Sequence, residues 1–377
     1  MDFSALTAYL DSLKDVGMPG CDLAVYRDHR KIYRHHAGFR DREAGVPMDG
    51  NEVFRLYSAT KLHTCTAALQ LIEQGKMRLD DPVSDYLPAF GTLSVLENGR
   101  IHAAYTVLTI RHLFAMQGGF NYDLRSPSLE KAIFYSRGKA DTVTMVNALA
   151  EEPLSFNPGE HFQYCLCHDV LGAVVEVVSG MRFGEYLKTH IWDPLGMKDT
   201  GFQLTDEMRP RLAKLYMYDA AQQKTVPHPD PEKNPYQLTE NYESGGAGLY
   251  STVDDSILLT DALACGGTGK SGAHILKPAT IDLMRKNQQE GQCLKDFQAL
   301  KRFGYGYGLG VRTMMDPTYS KGPAGEFGWD GAACAYTLSD PKNRLSAFLG
   351  THVCNFAYGY ATVHPTIRDL IYEGLEK

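Results

Sequence analysis

Ser58 and Lys61 stand three residues apart, where the apolar lead-in Phe54-Arg55-Leu56-Tyr57 gives way to helical spacing at Leu62, Cys65, Ala68, Leu69 and Ile72. On a helix, residues three apart share a face, so the hydroxyl and the amine point the same way. A helix start also offers free backbone N–H groups and the positive end of the dipole, which favour a developing anion. A serine with an amine to manage its proton and a backbone donor beside it can act as a nucleophile toward an acyl group. The spacing alone is common, since Ser128/Lys131, Ser136/Lys139 and Ser339/Lys342 repeat it. Those three lie in polar stretches broken by Pro or Gly and read as solvated side chains. Lys61 differs because the helix it opens must be mostly buried, and a buried lysine is costly unless it is paired or used.

The elements around this tetrad follow from pattern and punctuation. Residues 3–14 read as a helix, 22–27 and 31–38 as strands, and the Ser58 helix runs to about Gln74 with Gly75 as its stop. Helices are expected at 109–116, 169–179 and 183–190, then at about 253–265, 278–287 and 364–376. Strands are expected at 306–313, 331–338 and 345–351, the last two joined by a tight turn at Asp340-Pro341-Lys342-Asn343. The proline-rich stretch 228–235 reads as a connection. Strands at both ends with helices between them predict a discontinuous α/β domain, 1–79 with 240–377, interrupted by a mostly helical domain, 80–239.

Bulk properties narrow the function classes. A chain of 377 residues exceeds what one hydrophobic core usually serves. With 44% apolar and 22% charged residues it is neither disordered nor fibrous. A net charge of −7 with no clustered basic face argues against nucleic acid and anionic membrane as partners. The N-terminus reads as an amphipathic helix and not as a signal peptide, and no apolar run reaches bilayer length, so the expectation is a soluble, cytoplasmic protein. Most of the eight cysteines lie in apolar contexts. Cys165, Cys167, His168 and Asp169 cluster, but no second pair at zinc-like spacing accompanies them, so neither metal nor cofactor is expected.

Two further signatures follow the tetrad: Asn157-Pro158-Gly159-Glu160 leading to Tyr164, and Gly328-Trp329-Asp330-Gly331-Ala332-Ala333. In this order the three resemble the serine β-lactamase and penicillin-binding-protein superfamily, in the branch of class C β-lactamases and family VIII carboxylesterases. Supporting matches lie at Leu108–Leu113, Pro194–Phe202 and Gly245–Leu249, so the resemblance covers nearly the whole chain. It implies an antiparallel sheet flanked by helices, with the active site in the cleft beside a helical domain. It implies Ser58, Lys61 and Tyr164 as catalytic residues, and the backbone N–H groups of Ser58 and Ala332 as an oxyanion hole. Trp329, Asp330, Gly331, Gly119 and Tyr122 are the expected substrate-binding residues. Two positions depart from the pattern. Leu166 replaces the Asn of a Tyr-x-Asn motif, and Trp329 replaces the cation of a Lys-Thr-Gly motif. Both resemble the esterase and acyltransferase side of the family.

The chemistry is affordable in magnitude. Tyrosine has a reference pKa of about 10, so holding it ionised near neutral pH costs roughly 4 kcal/mol. An ammonium about 4 Å away supplies roughly 4 kcal/mol at an effective dielectric near 20. Lys61 and Tyr164 can therefore share the work of general base in either order. The expected activity is acyl-enzyme hydrolysis of a small-molecule ester or amide. The alternatives are a β-lactamase or D-alanyl-D-alanine carboxypeptidase, an acyltransferase, and a catalytically silent binding module.

Overall fold

The computed structural model describes residues 1–231 and 234–377. Eight strands form one antiparallel sheet in the order Tyr305–Tyr307, Arg312–Met314, Phe327–Gly328, Tyr336–Asp340, Leu345–Thr351, Gly20–Arg27, Arg30–Asp41 and Val46–Pro47. Its central strands are covered on both faces. Alternation sends Leu23 and Val25 into one core with Leu6 and Leu10 of the helix Ser4–Ser12 and Ile367 and Ile371 of the helix His364–Glu376. Ala24 and Phe348 enter the larger core with Val253 and Ile257 of the helix Val253–Ala264. The hairpin expected at 340–343 joins Tyr336–Asp340 to Leu345–Thr351, pairing Asp340 with Leu345.

The helix Thr60–Glu73 is buried from Thr60 to Leu71, as its continuous apolar pattern requires, and Gly75 follows it at φ 70°. It shares the larger core with the helix Cys167–Ser179. Its lead-in strand, Val53–Arg55, pairs with Tyr250–Thr252 in a separate two-stranded sheet, so Ser58 is not positioned by the main sheet.

Two expected strands are each divided. Residues 306–313 form two short strands around a turn that brings Gly310 against Cys65, where a Cβ would lie 2.1 Å from the sulfur. Residues 331–335 form a turn with Cys334 at φ 66°, and the strand begins only at Tyr336. Helices at Pro127–Tyr135, Thr142–Leu149 and Gly291–Gln298 add to those expected. Within the proline-rich connection 228–235, residues 232 and 233 lie outside the described residues. No helix among the described residues is long and apolar enough to cross a membrane.

Candidate active site

Ser58 lies in a single 3-10 turn, Tyr57–Ala59, immediately before the helix that carries Lys61. Tyr57 adopts φ 45°, a left-handed conformation that is strained for a bulky side chain. The turn is held there by its neighbours: Leu56 N–H donates to Leu249 O at 2.9 Å, and Ala59 N–H to Leu56 O at 3.1 Å. Lys61 is fully buried. Its Nζ donates to Ser58 Oγ at 3.2 Å and to Gly246 O at 2.8 Å. The glycine-rich segment comes this close because it lacks side chains. A Cβ at Gly245 would lie 2.4 Å from His168 O, and one at Gly246 would lie 2.4 Å from an Asp169 carboxylate oxygen.

Tyr164 enters from the loop before the helix Cys167–Ser179. Lys61 Nζ sits 4.6 Å from the centre of its ring and 5.7 Å from that of Tyr122. Tyr122 stacks on one side of Tyr164 with centroids 5.7 Å apart, and Trp329 stacks at 5.6 Å. The indole Nε1–H of Trp329 donates to Tyr164 Oη at 3.0 Å. Trp329 is thus more than a wall of the pocket, because it supplies the tyrosine oxygen with a hydrogen bond. Ser58, Tyr122, Tyr164, Trp329, Asp330, Gly331 and Ala332 all line one cavity of about 880 Å³.

Three of the expected substrate-binding residues have structural partners of their own. Gly119 does not line the cavity; it is buried at φ 79°, and a Cβ there would lie 2.6 Å from Phe156 O. Gly331 lines the cavity and also passes close to the residue that leads into the nucleophile's turn, since a Cβ would lie 2.3 Å from Leu56 O. Asp330 is spent on internal charges. Its Oδ1 accepts from Arg312 at 2.7 Å, and its Oδ2 accepts from Arg302. Burial would raise its pKa, but the two guanidinium groups and His364 overcome this and hold it at about 2. The site also has a cation that the third motif lacks: the Arg302 guanidinium lies 4.9 Å over the Trp329 ring.

The other Ser-x-x-Lys pairs make no such arrangement. Lys131 pairs with Glu151, and Ser339 is buried and donates to Thr260 O at 2.9 Å. The cysteine cluster has partners of its own: Cys165 donates to Cys167 at 3.2 Å, and burial lowers the pKa of His168 to about 3. Among the described residues, His29, Asp261 and Cys265 bring donor atoms within 4.8 Å of one another, with His29 Nδ1 and Asp261 Oδ2 already joined at 2.7 Å.

Comparison with known proteins decides the family. The beta-lactamase family model matches residues 6–364. The chain belongs to the beta-lactamase family. It is 30% identical to Esterase EstB of Burkholderia gladioli, over 99% of this chain and 96% of that protein. It is also 30% identical to Protein Rv1367c of Mycobacterium tuberculosis, over 92% and 88%. Among solved structures, EstCE1, a hydrolase with promiscuous acyltransferase activity, superposes with a TM-score of 0.80 at 29% identity, covering 98% of both chains. Simvastatin synthase (the LovD6 mutant) from Aspergillus terreus shares the fold with a TM-score of 0.80 at 23% identity, covering 100% of this chain and 96% of that one. This family member is a serine hydrolase, and its mixed α/β fold with an antiparallel sheet agrees with the expected class.

Sequence reading passed over Tyr236, Arg302 and Arg312, and gave Asp169 no part in the site. Tyr236 lines the cavity and meets Tyr57 and Tyr122 edge-on at 5.6 and 6.0 Å. Arg302 and Arg312 come from segments outside every motif. Asp169, buried under the glycine-rich segment, accepts from Tyr242 at 2.7 Å and Ser244 at 2.6 Å. Tyr236, Arg302 and Arg312 carry no spacing signal, because tertiary packing assembles them.

Proposed function

We propose that Ser58 is the nucleophile of an esterase-type hydrolase. Tyr164 is its base, Lys61 is the cation that stabilises the tyrosine as a phenolate, and the N–H groups of Ser58 and Ala332 bind the oxyanion. The observation that carries this is the arrangement around Lys61: a hydroxyl, a carbonyl and the faces of two tyrosines surround Nζ. All of them suit an ammonium, which keeps the lysine as the charge and leaves proton transfer to the phenol. Tyr164 takes the Ser58 proton as Oγ attacks the ester carbonyl, and returns it to the departing alcohol. Each oxyanion donor contributes about 3 kcal/mol in the transition state. In this reading the cavity lies where a sheet-bearing part, 1–79 with 240–377, meets a mostly helical part, 80–239. Tyr122, Tyr164 and Tyr236 reach it from the helical part.

Esters are preferred over β-lactams and peptides because no Asn or Gln side chain lines the cavity among the described residues. Leu166, at the position that would supply one, is 2% exposed and faces the core. The test incubates the protein with 4-nitrophenyl butyrate, a fluorophosphonate and a chromogenic cephalosporin, and reads turnover and intact mass. Fast ester turnover with a Ser58-dependent adduct is expected, with Y164F slowed by about a hundredfold or more. A fully active Y164F, or rapid cephalosporin turnover without ester hydrolysis, overturns the reading.

A further inference from the structure

A second cluster of reactive side chains lies away from the Ser58 cavity, whose walls include none of its members. Arg27 pairs with Arg30, so Asp28 and His29 form a two-residue turn between the strands Gly20–Arg27 and Arg30–Asp41. Both turn residues have positive φ, 50° and 63°, as a tight hairpin turn requires. Asp28 N–H donates to Arg344 O at 2.9 Å, which fixes the turn to the neighbouring hairpin. The turn sets the His29 ring against the C-terminal end of the helix Val253–Ala264. Asp261 and Cys265 stand four residues apart there, with Cys265 N–H donating to Asp261 O at 2.9 Å, so both side chains project from one face.

The three residues bring an imidazole nitrogen, a carboxylate oxygen and a sulfur within 4.8 Å of one another. His29 Nδ1 lies 2.7 Å from Asp261 Oδ2, and the Cys265 thiol donates to Asp261 Oδ1 at 3.8 Å. Donors on one tetrahedral zinc stand about 3.3–3.8 Å apart, given bonds of roughly 2.0–2.3 Å. The cluster therefore has nearly the span of a zinc shell, and only the His29–Asp261 contact must open a little. Its charge fits as well. The Asp261 side chain is 1% exposed, and its sole ion-pair partner among the described residues is His29, which is charged only when protonated. Asp22, buried to the same degree, has a permanent cation instead, Arg34 at 2.6 Å. Arg344 acts on Asp261 and Cys265 through its charge but hydrogen-bonds with Asp28. A helix C-terminus, the negative end of the dipole, adds to the preference for a cation.

We propose that His29 Nδ1, the Asp261 carboxylate and Cys265 Sγ form a binding site for one zinc(II) ion, separate from the hydrolase chemistry. A carboxylate and a thiolate supply two negative charges to a divalent cation. The mixed nitrogen, oxygen and sulfur set suits zinc over magnesium or calcium, which take oxygen donors. On binding, Cys265 gives its proton to solvent and the His29 ring proton moves to Nε2, so one proton leaves for each ion bound. The His29 side chain is 24% exposed, which gives the ion a way in and leaves a fourth position to water. The ion ties the hairpin turn to the end of a helix whose Val253 and Ile257 pack with Ala24 and Phe348 of the sheet. Its role is a staple between sheet and helix, with no part in acyl transfer.

The experiment strips the protein of metal with EDTA, removes the chelator and adds one equivalent of cobalt(II) chloride. A near-ultraviolet thiolate-to-cobalt charge-transfer band is expected, with visible bands of four-coordinate intensity. One equivalent of zinc(II) chloride then abolishes both. Zinc in about hundredfold excess over its Kd raises the melting temperature by about 3 °C. C265S removes the charge-transfer band and the zinc shift, and H29Q weakens cobalt binding by at least about tenfold. C293S, which changes a cysteine outside the cluster, keeps both signals. Turnover of 4-nitrophenyl butyrate stays within about twofold with and without zinc. Metal-free melts show whether each variant folds, and H29Q, on the surface turn, decides the matter if C265S does not. No charge-transfer band at one equivalent, or a band that C265S and H29Q retain in full, overturns the site. Ester turnover that requires zinc overturns its role as a staple.

Discussion

Lys61 and Arg312 are both buried cations beside the Ser58 cavity, 0% and 2% exposed, but their partners are opposite in kind. Arg312 is matched to a carboxylate and a carbonyl, Asp330 and Thr337 O, both at 2.7 Å. Its charge is cancelled where it stands, and the pair fixes the strand Arg312–Met314 to the Trp329 segment. Lys61 makes no ion pair among the described residues; its hydrogen-bond acceptors are a hydroxyl and a carbonyl, and its other neighbours are aromatic faces. Leaving a buried charge without a counter-ion costs stability. The fold bears that cost at the one lysine that can touch the nucleophile. Buried charge is cancelled where it serves structure, and left available where a phenolate or an oxyanion must appear.

That contrast can be broken most directly by removing each charge in turn. K61M is expected to lower kcat on a neutral ester by about a thousandfold or more while its melting temperature stays within a few degrees of wild type. R312M strands Asp330 with Arg302 alone. Breaking a buried pair costs about 3–5 kcal/mol, so melting of a 377-residue chain should fall by roughly 4–6 °C, with a smaller effect on kcat than K61M. Thermal melts and steady-state kinetics on both variants check this. If K61M unfolds and R312M silences the enzyme, the roles are reversed.

A smaller effect is expected from W329F, which keeps an aromatic ring and deletes the N–H to Tyr164 Oη. A hydrogen bond to a charged acceptor is worth about 1.5–3 kcal/mol, so kcat should fall by at least about tenfold. KM for a neutral ester should stay within about twofold, since the lost bond is to the base and not to the substrate. An unchanged kcat would reduce Trp329 to packing.

The sequence made the tetrad legible through the run of apolar residues after Lys61, which required a buried helix and so a lysine with a use. The sheet's central strands were legible in the same way. Residues 331–335 were not, because Gly331-Ala332-Ala333 reads as apolar strand while the backbone must turn there to pass Leu56 O. Gly331 lines the cavity as expected of a substrate-binding residue, and the absence of a side chain there also lets its backbone pass Leu56 O. Gly119 had the right residue type for a cleft but is needed against Phe156 O. Arg302 could not have been found: it stands in Ala299-Leu300-Lys301-Arg302-Phe303, with no motif around it, and only the fold brings it over Trp329. A motif preserves local geometry, whereas a charge network closes between segments far apart in the chain.

The smallest expected effect tests whether His364 adds a third cation to the two guanidinium groups that Asp330 already holds. His364 faces Asp330 Oδ1 at 3.7 Å, and burial lowers its pKa to about 4 from 6.5. The folded protein thus prefers the uncharged ring. Below pH 6.5 the unfolded chain takes up the proton first, so this contribution is fully present above 6.5 and is lost as pH falls toward 4. Asp330 has the same sign in a lower window. Its pKa is held at about 2 against 3.8, so its contribution is lost only between those values. His63 and His352, lowered by burial to about 3 and about 4, add to the slope. Buried carboxylates such as Asp22, which burial raises to about 7, act with the opposite sign, so the readout is the difference between variants: H364Q should flatten the wild-type curve between 6.5 and 4 by up to one proton, about 3 kcal/mol. If the H364Q curve keeps the wild-type slope, His364 is already protonated in the fold. Asp330 would then hold three cations instead of the two guanidinium groups it already pairs with.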